Sequence, residues 1–275
     1  MIASPTNGTH TRPGTQTRVG PRGFAAMSRA ALKALLSPLT GARDSAQAEP
    51  CDERQQTFPL ARGGRVEVLN ISGSVVIETT ESEVAEIEVV RRARRAVDLK
   101  YHQVMIEQTP DGLLIRGLED RAAYRRGRQV QQHVRLKLPR AVTVSIKGVG
   151  GPVSIGELDG PLQVERVAGT LEVGGIAESL TAANIGGRLR AGILSLGPRG
   201  LHLSNVGGPV ELHVRGELNA DLEVRGLSGR LRSDVPNLTM LAPENAVHTC
   251  ARFGAGGCQI SIRQVNGDVR ITQSL

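Results

Sequence analysis

Val149-Gly150-Gly151-Pro152-Val153, with Ile155 two residues on, is one copy of a phrase whose recurrence decides how this chain folds. The phrase is an apolar residue, any residue, a glycine, any residue, then two alternating apolar positions. It returns at Val167-Ala168-Gly169-Thr170-Leu171 with Val173, and at Ile185-Gly186-Gly187-Arg188-Leu189 with Ala191. Further copies are Val206-Gly207-Gly208-Pro209-Val210 with Leu212, and Leu227-Ser228-Gly229-Arg230-Leu231. Val265-Asn266-Gly267-Asp268-Val269 with Ile271 lies near the C-terminus, and Ile71-Ser72-Gly73-Ser74-Val75 with Ile77 opens the series. Glycines 151, 169, 187, 208 and 229 are 18, 18, 21 and 21 residues apart. The interval from Gly229 to Gly267 is 38, which reads as two steps of 19 with the middle copy worn away. A fixed period of this length is the mark of stacked structural units.

Each unit holds two short strands. The second reads Leu162-Gln163-Val164, Leu180-Thr181-Ala182, Leu201-His202-Leu203 and Leu222-Glu223-Val224. Apolar and polar residues alternate, so each strand shows one face to a core and one to water. A unit of this length is too short for a strand-helix-strand crossover, which takes about 30 residues. It fits one coil of a solenoid, with strands of successive coils in register about 4.8 Å apart. The prediction is an all-β chain, a single-stranded β-solenoid of 18–21-residue coils preceded by a less regular β region; the competing architecture is a β-sandwich with ordinary turns. Gly73, Gly151, Gly169, Gly187, Gly208, Gly229 and Gly267 are read as corner glycines with φ > 0. Asn70, Asn184 and Asn205 recur three residues earlier, where a side-chain amide ladder can form along a corner.

Composition agrees. Aromatic residues make up 2% of the chain, with no Trp, three Phe and two Tyr, while Gly numbers 33. A thin stack filled with Val, Leu and Ile needs no bulky aromatic anchors. Net charge is +7, but residues 141–275 hold 12 basic and 12 acidic side chains, so the repeat half is neutral and carries no basic stripe.

Three segments follow. Residues 1–57 are rich in Pro, Gly, Thr, Ser and Arg and are expected to be disordered. Reading from Met27 gives Arg29, the apolar run Ala30–Leu36 and the small-residue pattern Ala46-Gln47-Ala48, a secretory outline that Lys33 interrupts. No stretch approaches the ~18 apolar residues of a membrane span. Residues 58–140 form the less regular β region, with strands expected at Arg65–Leu69, Val75–Thr79, Val84–Val90, Tyr101–Glu107, Leu113–Arg116 and His133–Leu138 and a hairpin at Asp111-Gly112. Residues 141–275 hold the coils, interrupted by an irregular stretch at 234–245 and capped by polar Thr272-Gln273-Ser274.

The search for chemistry turns up little. Arg91, Arg92, Arg94 and Arg95, with Arg125, Arg126 and Arg128, form a candidate patch for an anionic polymer, phosphate or acidic lipid surface; solvated loops beside Glu81, Glu83, Glu86 and Glu88 explain the same charges. No aromatics interleave with them for base stacking, which argues against nucleic acid. His202 and His213 are candidate neighbours on adjacent strand edges. His248, Cys250 and Cys258 match no four-ligand zinc spacing, and the two cysteines either pair across a turn or stay free. Glu165, Glu172, Glu211 and Glu223 stand at outward positions of different coils. No phosphate loop or nucleophile elbow is present. The chain is expected to be no enzyme, with neither cofactor nor metal.

With these residues laid out, residues 58–275 resemble the bacterial "putative adhesin" family of β-strand-repeat proteins, a domain of unknown function. The resemblance rests on Gly64-Arg65-Val66-Glu67-Val68-Leu69-Asn70-Ile71-Ser72-Gly73-Ser74-Val75 and Leu136-Lys137-Leu138-Pro139. It rests also on the serial glycine phrases and on the passage from Phe253-Gly254 to Val265-Asn266-Gly267-Asp268-Val269-Arg270-Ile271. It implies a non-enzymatic, envelope-associated β-solenoid whose partner is an envelope component, a polysaccharide or another protein, and it supplies no functional residues. The interrupted secretory outline keeps a cytoplasmic, self-assembling scaffold in play. A carbohydrate-active enzyme would need carboxylates converging on one groove.

Overall fold

The structure is a computed structural model; it describes residues 50–120, 130–245 and 248–274. Residues 48–275 form one compact unit. The secretory outline and most of the expected disordered tail lie outside the described residues.

Ahead of the repeats come β1 (Cys51–Pro59), β2 (Arg65–Ile71), β3 (Val75–Thr80), β4 (Val84–Ala93), a 3-10 turn at Ala96–Tyr101, β5 (His102–Thr109), β6 (Gly112–Glu119) and β7 (Val130–Pro139). The repeats supply β8 (Thr143–Val149), β9 (Val153–Leu158), β10 (Leu162–Val167), β11 (Leu171–Ile176), β12 (Leu180–Ile185), β13 (Leu189–Ile193), β14 (Leu201–Val206) and β15 (Val210–Arg215). Then follow β16 (Ala220–Leu227), β17 (Leu231–Ser233), β18 (Leu238–Asn245), β19 (His248–Phe253), β20 (Cys258–Val265) and β21 (Val269–Ser274). These strands build two large, mostly parallel sheets. Sheet A runs β1-β4-β7-β3-β9-β11-β13-β15-β21-β17, and sheet B runs β18-β19-β16-β20-β14-β12-β10-β8-β2-β6-β5. Each glycine phrase joins a strand of sheet B to one of sheet A.

The alternation seen in the sequence becomes the two faces of each strand. Val164, Val144 and Ala182 from sheet B are fully buried, as are Leu171, Leu189 and Leu212 from sheet A, and both sheets feed one aliphatic core. Register follows the repeat: Leu162 faces Leu180 and Val144, and Leu171 faces Leu189 and Val153.

The corners differ from expectation. None of the seven central glycines has positive φ. The left-handed residue stands three positions earlier in every copy: Asn70, Gly148, Arg166, Asn184, Asn205, Gly226 and Gln264, with φ between 54° and 75°. At that position the ladder skips one residue on both strands and keeps its register: Glu165 pairs with Ala183 and Val167 with Ile185, while residues 166 and 184 are skipped. The Asn recurrence is therefore the left-handed signal itself, since Asn adopts that region at less cost than other side chains. Asn205 Nδ2 donates to Asn184 Oδ1 at 2.7 Å, one rung of the expected amide ladder.

The glycines answer a different need. The bend is hydrogen-bonded to the next unit rather than within itself: Ala168 N donates to Val149 O at 2.9 Å and Gly186 N to Val167 O at 2.7 Å. Backbones are drawn so close that a Cβ on Gly169 would sit 2.6 Å from the Gly151 carbonyl carbon, and one on Gly187 would sit 2.9 Å from the Gly169 oxygen. Close approach, not φ, excludes a side chain there.

Three further expectations change. Cys51–Thr57, expected to be disordered, form most of β1 and pair antiparallel with β4. Segment 65–80, expected in a separate irregular region, sits inside the stack, with β2 between β6 and β8 and β3 between β7 and β9. No worn copy lies between Gly229 and Gly267. Leu238–Asn245 is strand β18, and β18 and β19 form an antiparallel hairpin against β16. The chain then turns back through Gly254, Gly256 and Gly257, all with positive φ, and inserts β20 between β14 and β16. The last unit in sequence is thus the second last in space. β21 lies between β15 and β17 and caps nothing.

Candidate functional site: a polar cleft on sheet B

Six residues before each central glycine stands an outward-facing side chain of sheet B. Pairing aligns Ser145, Gln163, Thr181 and His202 on the four neighbouring strands β8, β10, β12 and β14. They floor a cleft of about 600 Å³, walled by Pro161, Ser179, Pro198, Arg65 and Arg199. The loop before Gly200, which lengthens this unit to 21 residues, brings up Pro198 and Arg199. Ser145 and Ser179 are almost fully buried, at 3% and 6% exposure.

The floor carries no formal charge apart from what His202 acquires on protonation. It presents hydroxyls, an amide and an imidazole, groups that both donate and accept. Charge sits at the ends. Arg65 Nη2 lies 2.6 Å from Glu67, and Arg199 Nη2 lies 2.9 Å from Glu178; all four side chains are substantially exposed. Such pairs exchange readily for an incoming anion because water screens them. Four strand spacings separate β2 from β14, so the arginines are about 19 Å apart along the sheet.

The arginine patch read from the sequence divides. Arg91 is 6% exposed and works inward: Nε donates to Asp52 Oδ2 at 3.0 Å, and Nη1 donates to the carbonyls of Leu99 at 3.1 Å and His102 at 2.7 Å. It ties β1, β4, the 3-10 turn and β5 together. Its hydrogen bond holds the Asp52 carboxyl below the usual range, against the opposing pull of burial. Arg92, Arg94 and Arg95 are exposed, and Arg125, Arg126 and Arg128 lie outside the described residues.

Other candidates separate in space. His202 faces the cleft on sheet B, whereas His213 is on sheet A and shares a 2.8 Å hydrogen bond with Thr272 Oγ1. Cys250 and Cys258 are free and lie on strands either side of β16. Among the described residues no group of three His, Cys, Asp or Glu is arranged to hold a metal. Glu165 and Glu223 point outward from sheet B, Glu172 and Glu211 from sheet A, so the four carboxylates do not converge. The floor residues escaped the sequence reading because neutral Ser, Gln and Thr look like ordinary outward positions. Their shared offset from the glycine is the signal that marks them.

No protein-family model matches the chain, and no curated protein matches it either. Solved structures do. A putative cell adhesion protein from Clostridium sporogenes ATCC 15579 is 11% identical, over 82% of this chain and 100% of its own, with a TM-score of 0.38. A putative adhesin from Bacteroides fragilis NCTC 9343 is 11% identical, over 81% of this chain and 97% of its own, with a TM-score of 0.33. A putative lipid binding protein from Parabacteroides distasonis ATCC 8503 is 8% identical, over 82% and 97%, with a TM-score of 0.26. Bacterial proteins described as putative adhesins are thus among the solved structures this chain is similar to.

Proposed function

We propose that the chain is a β-solenoid working as a non-catalytic binding protein of the cell envelope, and that it lays an extended acidic polysaccharide along sheet B. The observation that carries this reading is the line of Ser145, Gln163, Thr181 and His202, one polar side chain per strand, with an arginine at either end. Hydroxyl and amide groups match the hydroxyls of sugar rings, and Arg65 and Arg199 match carboxylates spaced along the polymer. With aromatics at 2% of the chain there is no stacking platform, so each sugar is held weakly and affinity accumulates with length. The test measures binding of the full chain to acidic and neutral polysaccharides by biolayer interferometry. Replacing Gln163, Thr181 and His202 together by Ala is expected to weaken binding at least about tenfold, the loss of one to two net hydrogen bonds. Arg65→Gln with Arg199→Gln should weaken only the acidic polymer. Release of shortened fragments, or equal binding by the triple variant, would overturn the proposal.

A self-assembling scaffold has one observation in its favour: Met240 and Leu241 on end strand β18 are 58% and 39% exposed. At the other end of the stack, Asp52, Glu53 and Arg54 on edge strand β1 oppose strand addition. Sedimentation at high concentration separates the two readings, since a strict monomer excludes the scaffold.

A further inference from the structure

Beyond the cleft, the same face of sheet B carries a second group of side chains. Glu223 and Arg225 on β16, His248 and Cys250 on β19 and Arg263 on β20 share this face, with Glu223 opposite Cys250 and Arg225 opposite both His248 and Arg263. Cys250 Sγ is 3.2 Å from His248 Nε2, and that same nitrogen is 3.2 Å from Glu223 Oε1. Arg225 Nη2 lies 2.5 Å from Glu223 Oε1, and Arg263 Nη2 lies 3.5 Å from Oε2. Burial pushes the Glu223 carboxyl upward, but Arg225, Arg263 and His248 together outweigh it and hold Glu223 below the usual range.

Donor chemistry then assigns the proton. An ionised carboxylate only accepts, and a single imidazole nitrogen carries either a proton or a lone pair. With Glu223 ionised, the tautomer that satisfies this contact is Nε2–H, which also faces the sulfur at equal distance. Cys258 shows the opposite arrangement: its Sγ is 3.1 Å from the Leu196 carbonyl, which accepts only, so the Cys258 S–H is the donor. Two guanidiniums stand against the single carboxylate of Glu223, the residue opposite Cys250, leaving positive charge in excess on this part of the sheet. Partly exposed sulfur beside His and Arg is the setting of reactive cysteines.

We propose that Cys250 is a reactive cysteine and a modification site, which takes up small anionic disulfides by thiol-disulfide exchange. The Cys250 thiol releases its proton to water as its sulfur attacks one sulfur of R–S–S–R and forms a new S–S bond. The original S–S bond breaks, and RS⁻ leaves with its electron pair and takes a proton from water. Cys250 keeps the other half as a mixed disulfide. The excess guanidinium charge favours a carboxylate-bearing disulfide over a cationic one.

The test treats the full native chain at neutral pH with oxidised glutathione or with cystamine, and follows each cysteine by peptide mass mapping. Cys250 is expected to react about tenfold faster than Cys51, which is exposed, and than Cys258. In urea the three rates should converge. Glutathione disulfide should outpace cystamine at Cys250 alone, and His248→Gln should abolish the preference for Cys250. Cys250 reacting no faster than Cys51 in the native chain would overturn the assignment, whatever the variant does. So would a folded His248→Gln chain that keeps the fast rate. Faster modification by cystamine would refute the anionic preference.

Discussion

Two substitutions three residues apart, in the same corner, should move stability in opposite directions. Arg166 is a long side chain held at φ 57°, a conformation costing about 1–2 kcal/mol for an ordinary L-residue. Asn visits this region at lower cost, and in Arg166→Asn the new amide would stand next in line to Asn184 on the neighbouring strand. The change removes only an exposed 3.4 Å contact with Glu165, worth a few tenths of a kcal/mol. The net gain is about 1 kcal/mol, or about 2–4 °C in Tm for a chain of this size. Gly169→Ala is the opposite case. Its Cβ would lie 2.6 Å from the Gly151 carbonyl carbon and 2.7 Å from Pro152 N, both backbone atoms with no rotamer to yield. Adjacent units would have to part, at a cost of about 3 kcal/mol, the upper end for overpacking, and Tm should fall by about 6–12 °C. Thermal melts followed by far-ultraviolet circular dichroism read both. If the central glycines were the left-handed residues, Arg166→Asn would do nothing. A neutral Arg166→Asn, or a Gly169→Ala chain that melts normally, refutes the corner geometry.

Two shorter predictions concern charge. Arg91→Met leaves the Leu99 and His102 carbonyls and the Asp52 carboxylate without their donor; it should cost about 2–4 kcal/mol and expose β1 to proteolysis, read by urea unfolding and limited trypsin digestion. Acid should destabilise the fold in two stages. Burial, with Arg92 adding to it, depresses His133 below its ordinary 6.5, so the unfolded chain takes up that proton first and stability begins to fall below about pH 6.5. Asp52, Glu157, Glu211 and Asp221 are each depressed by a hydrogen-bonded arginine, so their contribution is full above the ordinary carboxylate range, begins to fall within it and is lost as pH drops through the depressed folded-state values. Urea midpoints across pH test this, and His133→Gln should flatten the first stage alone.

What could be read from sequence was whatever repeats locally. Strand positions from Arg65 to Leu138, the hairpin at Asp111-Gly112 and the alternation of Leu162-Gln163-Val164 all follow from neighbours in the chain. The left-handed corner was half legible. Asn70, Asn184 and Asn205 announce it, but Arg166 and Gln264 occupy the same place without any preference for it, and the invariant glycine drew the attention instead. Its reason, contact with another unit's backbone, is invisible until the units are stacked. Arg91 looked like its neighbours in the Arg91–Arg95 run because burial is a tertiary property. The cleft needed four strands side by side before neutral residues became a surface.

Stack order is the property that no repeat spacing can encode, and it bears on how the C-terminal part is held. β16 meets β14 and the strands beyond it only through β20, which itself pairs with β14. The β16–β19 segment is made earlier in sequence but must wait for β20 and β21 before it has a template, and such long-range closure is slow to form. A chain ending after Gly257 should therefore leave residues 220–253 undocked, while β8–β15 stay folded. Its melting temperature should match that of a chain ending after Arg215, and hydrogen exchange in residues 220–253 should be unprotected. Strong protection there would mean that β16 can dock on β14 directly, so that chain order and stack order are exchangeable and the insertion of β20 is not what organises this end.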